Sequence, residues 1–307
     1  MIFEPRPYRE VADLESMEAI LITGRTAENG SFYVHVGDLR WWLHYTLPED
    51  QPWSRIYLWE AEQGEIVAWT LFSLADEAFD LFVIPELHGK PDMRSMLAWS
   101  ADRLSEILRR VGASHVHKGW IHPEDAALRC DLEQLGFSVS GDSSVHMLRS
   151  LDGPIPGPVL PEGYQARGCK GAEEVELRAA AQHGAFESSL AFDRYAERFL
   201  RFMRSPVYNP QQDIVVSAPD GRIASFCKLW LDPVNRVGNF EPVGTHPDFQ
   251  RRGLGRAVML EGLHRLQAWG MTSAILGTGV KNVPAIRLYE DVGFHIETQL
   301  LTYARAI

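Results

Sequence analysis

Two short patterns occur twice in this chain with one common offset. Ala61-x-x-Gly64-x-Ile66 returns as Ala218-x-x-Gly221-x-Ile223, and Gly136-Phe137 returns as Gly293-Phe294, each 157 residues later. A shared offset at both ends of a long stretch means that a whole order of elements is repeated, which is a duplicated fold and not two unrelated domains. The intervening pattern agrees. In the first half Arg55–Glu60 alternates as a strand, Gln63-Gly64 turns it, Ile66–Leu74 runs back and Phe79–Ile84 follows; in the second Asp213–Ala218, Asp220-Gly221, Ile223–Leu231 and Phe240–Thr245 repeat this. Next comes a helix, marked by Met96, Leu97, Ala101, Leu104 and Leu108 in one half and Ala257, Val258, Leu263 and Leu266 in the other. A strand (Ser114–Trp120; Ser273–Gly277) and a short helix (Ala126–Leu135; Pro284–Asp291) lead to Gly-Phe each time. Helices are also expected over Glu10–Ile20, Glu173–Ala185 and Asp193–Met203.

The fold class read from this is α/β, with a mixed α+β sheet flanked by helices in each of two tandem domains. With 307 residues each copy is long enough to bury its own core. Residues 152–162 hold four prolines and two glycines, a composition that sustains neither a helix nor a central strand. The expected division is therefore 1–150, a linker at 151–162, and 163–307.

Charge is unevenly placed. Residues 1–150 carry 13 Lys and Arg against 24 Asp and Glu, and the remainder 17 against 17. An acidic half argues against nucleic acid as a partner, because phosphate neutralisation needs a basic face. Seven of the nine tryptophans, at 41, 42, 53, 59, 69, 99 and 120, also lie in the first half, as core or pocket lining. The three cysteines, Cys130, Cys169 and Cys227, have no paired or metal-like spacing, and no metal site is expected. No apolar run approaches the roughly 20 residues of a membrane span. Met1–Arg6 lacks the layout of a secretion signal, so a cytoplasmic location is expected.

The stretch with most chemistry is Gln250-Arg251-Arg252-Gly253-Leu254-Gly255, between a strand and a helix. Spaced glycines at a helix mouth let the backbone approach a ligand, and the unpaired first-turn N–H groups with the helix dipole favour an anion. Arg251, Arg252 and Arg256 add positive charge. Further on stands Asn282-x-x-Ala285-x-x-Leu288-Tyr289-x-x-x-Gly293-Phe294. A strand-to-helix turn alone is a weak signal; the two motifs in this order and spacing are specific. Together they resemble the GNAT superfamily of acetyl-CoA-dependent acyltransferases, and the tandem arrangement is similar to that of mycothiol synthase, a comparison of architecture that identifies no substrate.

That resemblance implies acetyl-CoA as co-substrate. It puts the CoA pyrophosphate on the backbone of Gln250, Arg251, Arg252, Gly253, Leu254 and Gly255, with Arg256 nearby. The main chain of Val243, Gly244 and Thr245 would pair with the pantetheine arm between two splayed strands, Asn282 would help fix the cofactor at the start of the next helix, and Tyr289 would lie near the sulfur. An amine attacks a thioester only when neutral, so a base is useful. Glu241 is the first choice, since alternation along a strand displays 241, 243 and 245 on one face. A salt bridge or turn contact near Arg236 is the bland reading of Glu241, and His246 is the alternative base. A main-chain N–H near Val243 would hold the oxyanion. Tyr289 would return a proton to the thiolate, although a tyrosine in an amphipathic helix is often only core.

The first half departs from the pattern: Asp125 stands in place of Asn282 and Leu132 in place of Tyr289, and Pro91 and Asp92 open its long helix without spaced glycines. This half is expected not to bind acetyl-CoA. The expected activity is N-acetyl transfer from acetyl-CoA to a primary amine of a small acceptor, directly in a ternary complex; a homodimer is compatible with it. A non-catalytic CoA-binding or regulatory module is the competing class. A P-loop enzyme is disfavoured because Arg256-Ala257, and not Lys-Ser/Thr, follows Gly255.

Overall fold

The computed structural model describes residues 4–9, 11–27, 30–47 and 52–307. The first half runs β1 (Pro5–Pro7), α1 (Val11–Gly24), α2 (Val36–Trp41), a π-helical turn Trp42–Thr46, β2 (Ile56–Glu60), β3 (Ile66–Ser73), β4 (Ala78–Val83), α3 (Pro91–Arg110), β5 (His115–Ile121), α4 (Ala126–Gln134) and β6 (Ser138–Ser150). The second runs β7 (Gln165–Gly168), α5 (Val175–Ala185), α6 (Phe192–Met203), β8 (Asp213–Ser217), β9 (Ile223–Asp232), β10 (Val237–Thr245), α7 (Leu254–Ala268), β11 (Ser273–Gly279), α8 (Val283–Asp291) and β12 (His295–Ala306). The repeated order inferred from the glycine turns is therefore present, and α1 extends one turn past the expected Ile20; Glu10 and Met1–Phe3 lie outside the described residues.

Among the described residues the twelve strands form one sheet, in the order β1-β2-β3-β4-β5-β12-β6-β11-β10-β9-β8-β7. Each half gives its last strand to the other. β12 pairs antiparallel with β5, β6 pairs antiparallel with β11, and the two exchanged strands pair at the centre. A chain pattern cannot reveal this, because β6 and β12 carry the same kind of alternation and either could dock on either neighbour.

The halves are joined by packing as well. Trp41 and Tyr45 of the first half share a core with Phe199, Phe202, Phe226 and Trp230 of the second. Under α7 a separate core gathers Phe240, Val258, Leu263, Met147 and Tyr289, and reaches Leu151 and Ile155 of the proline-rich segment. Among the described residues no helix is long and apolar enough to cross a membrane.

Candidate active site

β10 and β11 pair in parallel at Val237/Ser273, Gly238/Ala274 and Asn239/Ile275, and there the ladder ends. Beyond this point β10 stays with β9 as far as Thr245, while β11 stays with β6 as far as Gly279. The two strands are drawn apart by opposite neighbours, and a wedge opens between Phe240–Thr245 and Leu276–Gly279. Val243, Gly244 and Thr245 lie along one lip of it.

At the apex the β10–β9 register slips between Phe240 and Val243, and the Glu241–Pro242 peptide is cis. The slip corrects the simple alternation. Val243 packs towards the core beneath α7, whereas Glu241 lines cavities that open towards the first half, so these two do not share a face. Trp230 anchors the turn by donating from Nε1 to the Glu241 carbonyl at 2.7 Å. Arg236 instead donates to the Gly270 carbonyl at 3.0 Å. His246 uses Nδ1 to accept from the Asp248 amide at 3.2 Å, capping a short turn, and lines neither cavity.

The β10 lip leads on to the glycine turn. Arg251 has φ 60° and Gly253 φ 76°, a pair of left-handed residues that swing the chain into α7. Gly253 is the N-cap and offers no side-chain cap, so the first-turn N–H groups of α7, at Leu254 and Gly255, stay available. A Cβ on Gly255 would lie 3.2 Å from Thr245 Oγ1 and 3.3 Å from a Leu288 methyl; glycine is what lets α7, β10 and α8 meet here. Gln250 donates to the Thr245 carbonyl at 3.4 Å. Arg252 bonds the Tyr164 hydroxyl at 2.9 Å and Arg256 pairs with Asp291 at 2.9 Å, while Arg251 is exposed. Asn282 caps α8, accepting from the Ala285 amide at 3.4 Å, and donates to Thr278 Oγ1 at 3.1 Å, which ties the cap to β11.

Two cavities, of about 540 and 260 Å³, meet beside Glu241. Trp42, Trp120 and Ser144 of the first half line both. α2 is held against β10 by a polar clasp: Asp38 accepts from the His35 amide at 2.8 Å and from Asn239 Nδ2 at 2.7 Å, and His35 Nε2 donates to the Val237 carbonyl at 3.2 Å. Burial, with the Asp38 charge behind it, pushes the Glu241 carboxyl up to about 8. Burial likewise pushes Asp38 up to about 6 against its hydrogen bonds. Tyr289 is buried and its phenol is held well above its ordinary value, first by burial and then by the Glu241 charge, so it stays protonated. Sequence reasoning missed Asp38 and the His35 clasp, which lie about 200 positions from β10; a polar pair within an apolar helix start was the one available signal.

The corresponding place in the first half adjoins the larger cavity, with Ala78, Asp80, His117 and Gly119 in its wall, and its polar groups are bonded by its own side chains. β4 and β5 pair in parallel only at Ala78/His117. Lys118, buried, lies 3.7 Å from Asp80, donates to the Gly119 carbonyl at 2.9 Å and sits 5.6 Å from the centre of the Phe82 ring. Tyr33 caps the Val83 carbonyl at 2.8 Å. Asp125 is buried, caps α4 and pairs with His88 at 3.1 Å.

The Acetyltransferase (GNAT) family model matches residues 177–294, which span the wedge, the glycine turn and α8. A mycothiol acetyltransferase of Streptomyces bingchenggensis is 30% identical over 260 residues, 80% of either chain, and that of Saccharomonospora viridis 28% identical over 254 residues, 80% of this chain and 81% of the other. A tandem GNAT protein from the clavulanic acid biosynthesis pathway superposes with a TM-score of 0.70 at 14% identity, over 99% of this chain and 98% of that one. A GCN5-related N-acetyltransferase from Sphaerobacter thermophilus gives 0.67 at 21% identity, over 99% and 95%. With a splayed parallel pair, a glycine turn into a helix and relatives that match four-fifths of its length, this chain belongs to the GNAT family and is an acyltransferase of tandem build.

Proposed function

We propose that the chain moves an acetyl group from acetyl-CoA directly to the primary amine of a small acceptor, with one CoA site, in residues 163–307. The observation that carries this reading is the position of Glu241, at the apex of the wedge and at the junction of the two cavities. The pyrophosphate rests on Gln250–Gly255 with Arg251 free to reach it, the pantetheine arm lies along Val243–Thr245, and Asn282 steadies the β11–α8 corner. Glu241 takes a proton from the amine nitrogen, whose lone pair forms the N–C bond. As the C–S bond breaks, Tyr289 gives its phenolic proton to the sulfur. Direct transfer is supported by the cysteines: Cys169 and Cys227 are buried with thiols pushed up by burial, Cys169 to about 11, and no cysteine lines either cavity.

Residues 1–150 serve as the acceptor's wall and not as a second CoA site. Lys118 and Tyr33 bond the Gly119 and Val83 carbonyls, main-chain groups that a pantetheine arm would use, and Trp41, Trp42 and Trp120 face the larger cavity. The relatives named for mycothiol agree with an acceptor of small-molecule size. Calorimetric titration with acetyl-CoA and with ATP tests the glycine turn: acetyl-CoA binds and ATP does not, and absence of acetyl-CoA binding at millimolar concentration rejects the reading. Gly255→Val, whose methyls press on Thr245 and Leu288, weakens acetyl-CoA by at least about tenfold, or roughly 1.4 kcal/mol, in the same titration. A panel of small amines followed by free-thiol release then separates an enzyme from a silent CoA binder.

A further inference from the structure

We propose that His146, aimed by Glu297, is a second proton acceptor in the acceptor site, working on the amine from the β6–β11 side while Glu241 works from β10. The proposal rests on the amine-transfer reading above. His146 sits on β6 opposite Gly277 of β11, at the wall of the smaller cavity that Glu241 and Asp38 also line. Only 10% of its side chain is exposed. Its Nδ1 lies 2.9 Å from Glu297 Oε2. A carboxylate only accepts, so Nδ1 carries a proton, and in the neutral ring the lone pair is left on Nε2. That Nε2 is buried with no hydrogen-bond partner among the described residues. A buried polar atom without a partner, in the wall of a cavity, is the feature expected of a group that waits for a ligand.

The pairing is built into the sheet. β12 runs Ile296 opposite Met147 and Thr298 opposite His146, which leaves Glu297 as the extra residue of a bulge. Bulges re-aim a side chain, and this one turns Glu297 towards the imidazole. Phe32 packs edge-on at 5.0 Å and steadies the ring. The dyad exists only because the halves exchange strands: β6 brings His146 to β11, and β12 brings Glu297 to β6. Around it, Arg25 and His295 act on Glu297, His146 acts on His35, and Asp38 and Glu241 face the same cavity. The hydrogen bond from His146 is the chief cause that holds the Glu297 carboxyl below its ordinary range.

An acceptor amine arrives as an ammonium. Its N–H bond breaks as the Nε2–H bond forms on His146, and the freed lone pair makes the N–C bond. The adduct nitrogen then loses its second proton to Glu241 while the C–S bond breaks and the sulfur takes the proton of Tyr289. Glu241 recharges Tyr289, and His146 releases the remaining proton to solvent. A second acceptor is useful because the ammonium must shed two protons, one before the N–C bond forms and one after it, and a single carboxylate takes only one.

The test uses the full chain with ¹⁵N-labelled histidine, the resonance of His146 being identified by its loss in His146→Asn. Long-range ¹H–¹⁵N correlation of the neutral ring should show Nδ1 protonated and Nε2 bare. Glu297→Ala should move the proton towards Nε2, and Glu297→Gln, which can still accept at Nδ1, should keep it in place. With the amine that releases thiol fastest in the panel, His146→Gln should lower kcat/KM roughly 100-fold at pH 7 and less at pH 9, at unchanged acetyl-CoA affinity. A neutral ring protonated at Nε2 overturns the proposal, as does a His146→Gln enzyme with wild-type kcat/KM across that range. If no amine releases thiol from the wild-type chain, the amine-transfer reading fails and takes this one with it; an active wild type with an indifferent His146 removes this proposal alone.

Discussion

Replacing Glu241 with Gln should cut kcat/KM for the acceptor by roughly 10²–10⁴-fold and erase the acidic limb of its pH profile. In the wild type that limb should bend at about 8, the value to which burial and the Asp38 charge push the carboxyl, because kcat/KM reports the free enzyme. An ammonium in the adjoining cavity favours the carboxylate, so the limb of kcat should bend lower. Stability should move the other way. The folded value lies above the ordinary 4.5, so between those two pH values the folded chain keeps a proton that the unfolded chain has lost. Stability from this group is fully present below about 4.5 and is lost as pH rises towards 8. Glutamine has no such loss, and Glu241→Gln should melt at least about 2–4 °C above the wild type at pH 9, the shift that 1 kcal/mol brings in a chain of this order, with the gap closing towards pH 4.5. Equal melting at pH 9 would mean that Glu241 is not destabilised by its site. Tyr289→Phe should keep acetyl-CoA affinity and lose roughly 10²-fold in kcat, since only the proton donor is removed. Full turnover in both variants at every pH would end the proposed acid and base roles.

The second large effect is on folding. Arg178 and Asp213, each with 1% of the side chain exposed, pair at 2.9 Å between α5 and β8. Arg178 also donates to Gln182 at 3.2 Å and lies 3.9 Å from the Phe226 ring centre; Tyr208 donates to Asp213 at 3.0 Å. Removing one partner of a buried pair strands the other charge, at a cost of about 3–5 kcal/mol. Arg178→Ala should therefore lower Tm by on the order of 10 °C in a thermal scan. Arg178→Lys should fall between, because an ammonium cannot reproduce the planar fork or the ring stacking. A loss under about 2 °C would show that Asp213 finds water or another donor. The damage should also reach the acceptor. Gln182 donates to the Tyr45 hydroxyl at 3.1 Å, and Tyr45 stacks on Trp41 at 3.9 Å, in the wall of the larger cavity. In variants that still fold, KM for the amine should rise while acetyl-CoA affinity holds.

The CoA-facing half of the site could be read from the chain because it is local. Arg251–Gly255 and Asn282–Tyr289 act through backbone geometry and helix ends, and such features are written in short stretches of glycine, asparagine and spacing. For the same reason the strands and helices of both copies fell within a few residues of their expected limits, and Asn282 was found at the cap of α8. The face of Glu241 was misjudged because a register slip leaves no mark in an alternating pattern.

What local pattern could not supply is everything that depends on which strand lies beside which. His146, Glu297, Asp38 and Trp120 come to Glu241 from distant parts of the chain, through the exchange of β6 and β12 and the clasp of α2 on β10. Duplication, glycine turns and helix ends follow from interactions within a few residues, which composition and spacing specify directly. The acceptor cavity arises from pairing across half the chain, where many registers satisfy the same alternation and only the packed sheet selects one.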